Sequence, residues 1–168
     1  MRRVFRNQLA FLAIIAMVFV GISTPAEAKS FPTVTVRVGK TVTYANGMSI
    51  VVNSLKNPSV SIKPSILKPK SGFRFVTAHL TFHMRGSSTY RPYLQGTLFL
   101  RTRAAVTYGP DASGIGVTDC PDAGGMYSVV VIPKLVTRAC VIFQIPIKTP
   151  PTMVVFSPPN SSTAIWRI

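Results

Sequence analysis

Acidic side chains are scarce in this sequence, and histidine and cysteine are scarcer still. Its 168 residues contain four acidic side chains against 19 lysines and arginines, with two histidines and two cysteines. Glycoside hydrolysis normally needs two carboxylates placed across the bond, yet the acids after residue 28 (Asp111, Asp119 and Asp122) fall in one short segment. A G-x-S-x-G elbow for a serine nucleophile is also missing. We therefore expect a protein that is not an enzyme and that uses no cofactor.

The two histidines, His79 and His83, are four residues apart. On a helix this spacing would place both on one face, but on the strand predicted here four residues span roughly 13 Å, too far to share one ion. Copper held with Met84 or Met126, and calcium held by the three aspartates, are alternatives without a supporting ligand spacing. We predict no metal site and keep a metal-binding envelope protein as a lower-ranked alternative.

The N-terminus has the pattern of an export signal. Three arginines precede an unbroken apolar run of 14 residues, Leu9–Ile22, and a polar stretch then ends in Ala26-Glu27-Ala28. Signal peptidase accepts such a small-x-small ending, whereas a membrane-spanning helix needs about 20 apolar residues. We predict that residues 1–28 form a cleaved signal-peptide helix, with an uncleaved anchor as the alternative. Residues 29–168 then form one secreted, extracytoplasmic domain, and no cysteine precedes Cys120 to carry a lipid.

The predicted domain is strongly basic. Sixteen of the 19 lysines and arginines and three of the four acids lie after residue 28, which leaves a formal charge of +13. A surface potential of this sign attracts anionic partners. Outside the cell we expect an anionic envelope polymer, lipid headgroups or an acidic protein, with cell-wall association as one outcome, and we do not expect nucleic acid. The alternative is a basic composition without a function.

A proline-spaced connection displays part of this charge. Lys56–Ser71 (KNPSVSIKPSILKPKS) repeats proline after polar residues, which keeps the chain extended and its lysines in solvent. We predict an anion-binding surface formed by this connection and two arginines further along the chain. Its residues are Lys56, Lys63, Lys68, Lys70, Arg85 and Arg91. A solvated loop without a ligand is the alternative.

The only two cysteines, Cys120 and Cys140, predict a disulfide. In an oxidising compartment an isolated pair is most simply a structural bridge, and the C-x-x-C spacing of redox proteins is absent. Closing a loop of about 20 residues would stabilise the fold by roughly 3 kcal/mol. In the run Arg138–Ile145, Cys140 falls on the face opposite the apolar residues. We expect the segment Asp111–Gly125 to lie over that face and to supply Cys120.

Short runs of β-branched and aromatic residues, without helical periodicity, fill the rest of the domain. Alternation begins at Val34 and continues to Tyr44, before Asn46-Gly47, a signal for a type I′ hairpin turn. The later runs are Met48–Leu55, Phe73–Met84, Thr97–Arg103, Met126–Ile132, Arg138–Ile145, Thr152–Phe156 and Thr163–Ile168. Prolines and glycines separate these runs, so we predict an all-β, immunoglobulin-like antiparallel sandwich of about seven to nine strands.

The run Phe73–Met84 has two distinct faces. The face that we expect in the core carries Val76, Ala78, Leu80, Phe82 and Met84. The face that we expect outside it carries Phe75, Thr77, His79, Thr81 and His83.

Several segments occur in an order found in one group of secreted bacterial domains. They are Val38-Gly39-Lys40 before a hairpin, Ser71-Gly72 before the long strand, the turn Tyr108–Asp111, and Arg138–Pro146 before a C-terminal hairpin. In this order the chain resembles the telokin-like, immunoprotective-extracellular-protein group. The resemblance implies an immunoglobulin-like sandwich and a secreted, non-enzymatic module, and it transfers no site residues.

These observations together predict a secreted binding module that acts at or beyond the cell envelope. A protease-inhibitor-like domain, which would block another protein through the loops Arg85–Tyr93 or Asp111–Gly125, is the principal alternative.

Overall fold

A computed structural model describes residues 30–59, 68–111, 120 and 129–168 of the chain. The predicted signal peptide, residues 1–28, lies outside this part, so its cleavage stays a prediction. Within the described ranges, no helix has both the length and the apolar character needed to cross a membrane.

The described residues form nine strands and one four-residue helix. In chain order they are β1 (Thr33–Arg37), β2 (Thr41–Thr43), β3 (Met48–Lys56), β4 (Phe73–Met84), α1 (Leu94–Thr97), β5 (Leu98–Thr102), β6 (Thr107–Tyr108), β7 (Val136–Pro146), β8 (Pro151–Phe156) and β9 (Thr163–Arg167). One sheet has the strand order β1-β9-β8-β5-β6 and the other has the order β2-β3-β4-β7.

The two sheets pack face to face as a sandwich, and alternate side chains of both fill the space between them. The largest side chains enclosed there include Trp166, Phe82, Phe143 and Phe156, each with no exposed surface. The predicted all-β sandwich is therefore confirmed. The pairing is antiparallel throughout the described sheets except between β1 and β9, which run parallel.

The long strand β4 confirms the predicted core face, because all five of its expected core residues are buried. Two residues of the opposite face differ from the prediction: Phe75 is 2% exposed and Thr77 is fully buried. Ser59, which follows β3, contacts both residues. The amide of Ser59 donates to the carbonyl oxygen of Phe75 at 2.9 Å, and the Ser59 and Thr77 hydroxyls lie 2.7 Å apart.

The same outer face holds the predicted disulfide between Cys120 and Cys140. Cys120 is fully buried and bonded to Cys140 on this face, as predicted. Beside it, Gln144 accepts a hydrogen bond from the amide of Lys70 at 2.5 Å and donates one to the Asp111 carboxylate at 2.7 Å. One nearly buried amide side chain thus joins the two long connections over the outer face.

The first predicted run, which alternates from Val34 to Tyr44, is divided between the sheets. Gly39, with φ of +87°, turns the chain after β1, and its amide donates to the carbonyl oxygen of Val52 in the other sheet at 2.8 Å. Such a φ favours glycine. Alternation alone could not show this change of sheet, because β1 and β2 keep the same apolar period.

The predicted β2–β3 hairpin is present, but the type I′ turn is wrong. That turn needs a positive φ at both central residues, and of the pair only Gly47 has one, at +82°. The amide of Gly47 donates to the carbonyl oxygen of Tyr44 at 2.9 Å, and the Asn46 side chain accepts from the amide of Met48 at 3.0 Å. This is a three-residue loop that ends in a left-handed glycine, the arrangement of a type I turn with a G1 bulge.

The prediction of a strand over Met126–Ile132 is wrong for the residues that the structure describes. Its first three residues lie outside the described part, and the remaining four form only a single bridge, between Val131 and Tyr90. Val131 is fully buried, so its apolar character reflects burial in the core without membership of a sheet.

Candidate functional site

The charge of the described residues is almost entirely of one sign. They include fourteen lysines and arginines and a single acidic side chain, Asp111. That carboxylate accepts a hydrogen bond from Gln144. One acidic side chain cannot neutralise fourteen cations, so the side chains of the described residues carry a net positive charge.

The structure separates the predicted anion-binding residues into two groups. Lys56 ends β3, and Lys68 and Lys70 precede β4, so these three exposed lysines lie at one end of the four-stranded sheet. Arg85 and Arg91 are exposed beyond the other end of β4, whose 12 residues span roughly 35 Å. Lys63 lies outside the described residues. The five described residues therefore form two groups, with the three lysines and the two arginines at opposite ends of the sheet.

Arg85 belongs to an open groove with two other nitrogen-bearing side chains, His83 and Lys134. The groove has a volume of about 510 Å³, and its wall also includes the hydroxyl groups of Thr41 and Ser49. Its shape follows from strand pairing at this end of the sheet. His83 lies between Ser49 on β3 and Val136 on β7.

The loops that flank the groove are held by backbone hydrogen bonds. The amide of Arg85 donates to the carbonyl oxygen of Gly47 at 3.0 Å, and the amide of Lys134 donates to that of Met84 at 3.2 Å. A side chain at position 47 would place its Cβ 3.1 Å from the amide nitrogen of Gly86. Glycine at position 47 therefore allows the two turns to approach closely enough to shape the groove.

Sequence reasoning identified Arg85 and missed the other cationic member of the groove, Lys134. Lys134 stands 49 positions further along the chain, in a turn where its φ is +65°. No pattern in the sequence gives the pairing register that places this turn beside the end of β4. His83 was predicted as an exposed strand residue, and that is how the structure shows it.

An aromatic cleft lies near the same hairpin. Tyr44 and Tyr90 line a cavity of about 240 Å³ together with Asn46 and Asn160. Burial raises the pKa of the Tyr44 hydroxyl well above its usual range, with a smaller contribution from Tyr90, and burial also raises the pKa of Tyr90. The buried Tyr44 hydroxyl has no hydrogen-bond partner among the residues that the structure describes.

The possible metal ligands on β4 lie on the faces that the alternation of a strand gives them. His79 and His83 lie on one face of β4, while Met84 is 5% exposed on the opposite, core face, so Met84 cannot complete a site with His83. His79 Nε2 lies 3.9 Å from Cys140 Sγ, but that sulfur is held in the disulfide. Across the residues that the structure describes, no group of three or more histidine, cysteine or acidic side chains could hold a metal ion. Met126, Asp119 and Asp122 lie outside them.

Solved structures share this architecture. The secreted protein MPT63 from Mycobacterium tuberculosis superposes with a TM-score of 0.58 at 15% identity, over 83% of this chain and 100% of its own. A β-sandwich protein of Clostridium difficile 630 gives a TM-score of 0.51 at 13% identity, over 86% of this chain and 99% of its own. The yjhA protein from Bacillus subtilis also gives 0.51 at 13% identity, over 79% and 98% of the two chains.

No family model matches the chain, and no curated protein matches it in sequence. At these identities the structural likeness defines the class of fold, a two-sheet β-sandwich. The fold implied by the resemblance to the telokin-like group is confirmed, and membership of that particular group stays a prediction.

Proposed function

We propose that this protein is an exported, non-enzymatic domain that binds an anionic partner through its basic surface. The observation that carries the proposal is the charge of the described residues, fourteen cations against one acidic side chain. Like charges on a compact domain repel one another and lower its stability. A partner that supplies phosphate or carboxylate groups would offset this repulsion.

Three features support export. The first 28 residues have the composition of a signal peptide. The Cys120–Cys140 disulfide is typical of an oxidising compartment. MPT63, which has the same fold, is a secreted protein. Export also favours envelope polymers, lipid headgroups and acidic proteins over nucleic acid as partners.

The shape of the described surface supports binding over catalysis. The groove around Arg85 and Lys134 is open and holds cations and hydroxyl groups. Asp111 is the one acidic side chain among the described residues, so these side chains alone cannot supply a general acid and a general base of the carboxylate type. An open cationic surface suits an extended partner that lies across it.

The test uses protein purified from the extracytoplasmic fraction of an expression host. It is titrated with polyphosphate, polyglutamate and phosphatidylglycerol vesicles at about 50 mM and about 500 mM NaCl, because salt screens such contacts. We expect at least one probe to bind at low salt and to dissociate at high salt. No binding to any of the three at low salt would contradict the proposal.

Export is tested by the intact mass of the same sample. We expect Lys29 to be the first residue, and an uncleaved chain would be the contrary result.

A further inference from the structure

Three arginines form a line across the outer face of the five-stranded sheet. Arg37 on β1 lies directly opposite Arg167 on β9, Arg167 lies opposite Met153 on β8, and Met153 lies opposite Arg101 on β5. Directly opposed residues point to the same face of a sheet. Neighbouring strands lie about 4.8 Å apart, so Arg167 stands roughly 5 Å from Arg37 and roughly 10 Å from Arg101 along this line. We call Arg37, Arg167 and Arg101 the arginine row.

The side chains of the row point away from the core. All three arginines are exposed, whereas Trp166, Leu100 and Val36, their neighbours in sequence, point to the inner face and pack in the core or against it. No acidic side chain of the described residues lies on this face, because the only one, Asp111, is held at the other sheet by Gln144. Like charges directly opposite each other destabilise a sheet. Arg37 and Arg167 therefore face each other without an acidic side chain of the described residues beside them.

Apolar side chains lie beside the row on the same face. The next line of residues along the strands contains Ile165, Val155 and Phe99, which are directly paired and only partly exposed. This line has no large, exposed apolar side chain that could insert into a lipid bilayer. A partner that lies along the line of arginines therefore fits this face better than a lipid bilayer, which apolar side chains would have to enter.

We propose that the arginine row binds an extended polymer that carries phosphate groups in series. This inference rests on the proposed function and names the surface and the partner class. A guanidinium offers a planar fork of donors that can bond two phosphate oxygens at once. Three such forks along one line engage successive phosphates of one chain, whereas a single small phosphate can contact only part of the row.

The experiment compares two variants that each lose three positive charges. In the row variant, Arg37→Gln, Arg101→Gln and Arg167→Gln are combined. In the control, Arg91→Gln, Arg138→Gln and Lys148→Gln remove the same charge from exposed positions outside both the row and the groove around Arg85. The probes are long-chain inorganic polyphosphate, pyrophosphate, polyglutamate and phosphatidylglycerol vesicles. Thermal unfolding confirms that each variant is folded, and the single Arg101→Gln variant serves if a triple variant is not.

We expect the row variant to raise the Kd for polyphosphate by about 100-fold at low salt, if each arginine–phosphate contact contributes roughly fivefold. The slope of log affinity against log salt should fall by roughly 2 to 3, since each phosphate contact contributes somewhat less than one. The control should show a much smaller rise in Kd and a much smaller fall in the salt slope. Wild-type protein should bind polyphosphate more tightly than pyrophosphate or polyglutamate.

Two results would overturn the row while leaving the proposed function intact. One is an equal loss of polyphosphate binding in both variants, which would mean that net charge alone determines affinity. The other is row-dependent binding to vesicles without binding to polyphosphate, which would assign the face to a membrane. Absence of binding by the wild-type protein to every probe at low salt would instead contradict the proposed function itself.

Discussion

The indole Nε1 of Trp166 donates a hydrogen bond to the backbone carbonyl oxygen of Lys40, at 2.8 Å and across 126 positions of sequence. Trp166 lies on β9, beside β1, and Lys40 lies in the turn that carries the chain from β1 in one sheet to β2 in the other. A fully buried side chain of the last strand therefore holds the first crossing between the sheets. This bond joins the two sheets near the place where the first and last strands pair in parallel.

Replacement of that tryptophan should weaken the fold. Trp166→Phe removes the donor to Lys40 and leaves space in a core position that has no exposed surface. We expect a loss of about 2 kcal/mol, which combines a lost hydrogen bond and a small cavity. Because Trp166 is the only tryptophan, urea unfolding should be followed by circular dichroism. An unchanged midpoint would show that the contact contributes nothing.

Removal of one arginine from the opposed pair should strengthen the fold. Arg37→Gln relieves the repulsion with Arg167, and we expect a gain of about 0.2–1 kcal/mol at low salt. The gain should shrink toward zero in about 1 M NaCl, where exposed charges are screened. Arg101→Gln is the matched control, because its direct neighbours are Met153 and Thr107. An equal gain in the control would mean that total charge, and not this pair, sets the effect.

Much of the fold could be predicted because burial in a strand leaves a period of two in the sequence. The residues of β4 show this directly: Val76 and Phe82 were assigned to the core from alternation alone, and both are fully buried. Alternation failed for Phe75 and Thr77 because it reports only the face toward the other sheet. It carries no information about residues outside the strand pattern, such as Ser59, that contact the outer face.

The candidate site was harder to predict because charge in sequence order does not give charge in space. The sequence predicts Lys56 and Arg85 on one surface, yet Lys56 lies opposite Thr77 on β4 and Arg85 lies beyond the end of that strand at Met84, roughly 25 Å away. Conversely, Arg37 and Arg167 are 130 positions apart and meet directly. The parallel pairing of the first and last strands brings them together, and no local pattern indicates that register.

Loss of the disulfide should destabilise the outer face more than the core. Cys120→Ala combined with Cys140→Ala opens a loop with a sequence separation of 20, and we expect a loss of roughly 3 kcal/mol. The bridge lies beside Ile142 and outside the main core cluster, so the sandwich should persist with faster amide exchange near Gln144. Urea unfolding and hydrogen exchange test this. Equal stability of the wild type with and without reductant would contradict the prediction.

The buried Tyr44 hydroxyl should make stability fall at alkaline pH. Burial raises its pKa in the folded protein above the ordinary value of 10.0, so above about pH 10 the unfolded chain loses this proton first. Unfolding is then favoured as the pH rises, by up to about 1.4 kcal/mol per pH unit until the folded pKa is reached. Below pH 10 both states keep the Tyr44 proton, so this loss of stability is absent there. Burial raises the pKa of Tyr90 as well, which acts in the same direction.

Tyr44→Phe separates this effect from the titration of the lysines, which is common to both proteins. The variant loses a buried hydroxyl that has no hydrogen-bond partner within the described part of the chain, so we expect it to be about 1 kcal/mol more stable than the wild type at neutral pH. The difference should widen between pH 10 and pH 11, because only the wild type carries the proton that the unfolded state releases. Chemical unfolding at a series of pH values measures both quantities. A constant difference across this range would show that Tyr44 does not titrate as its burial requires.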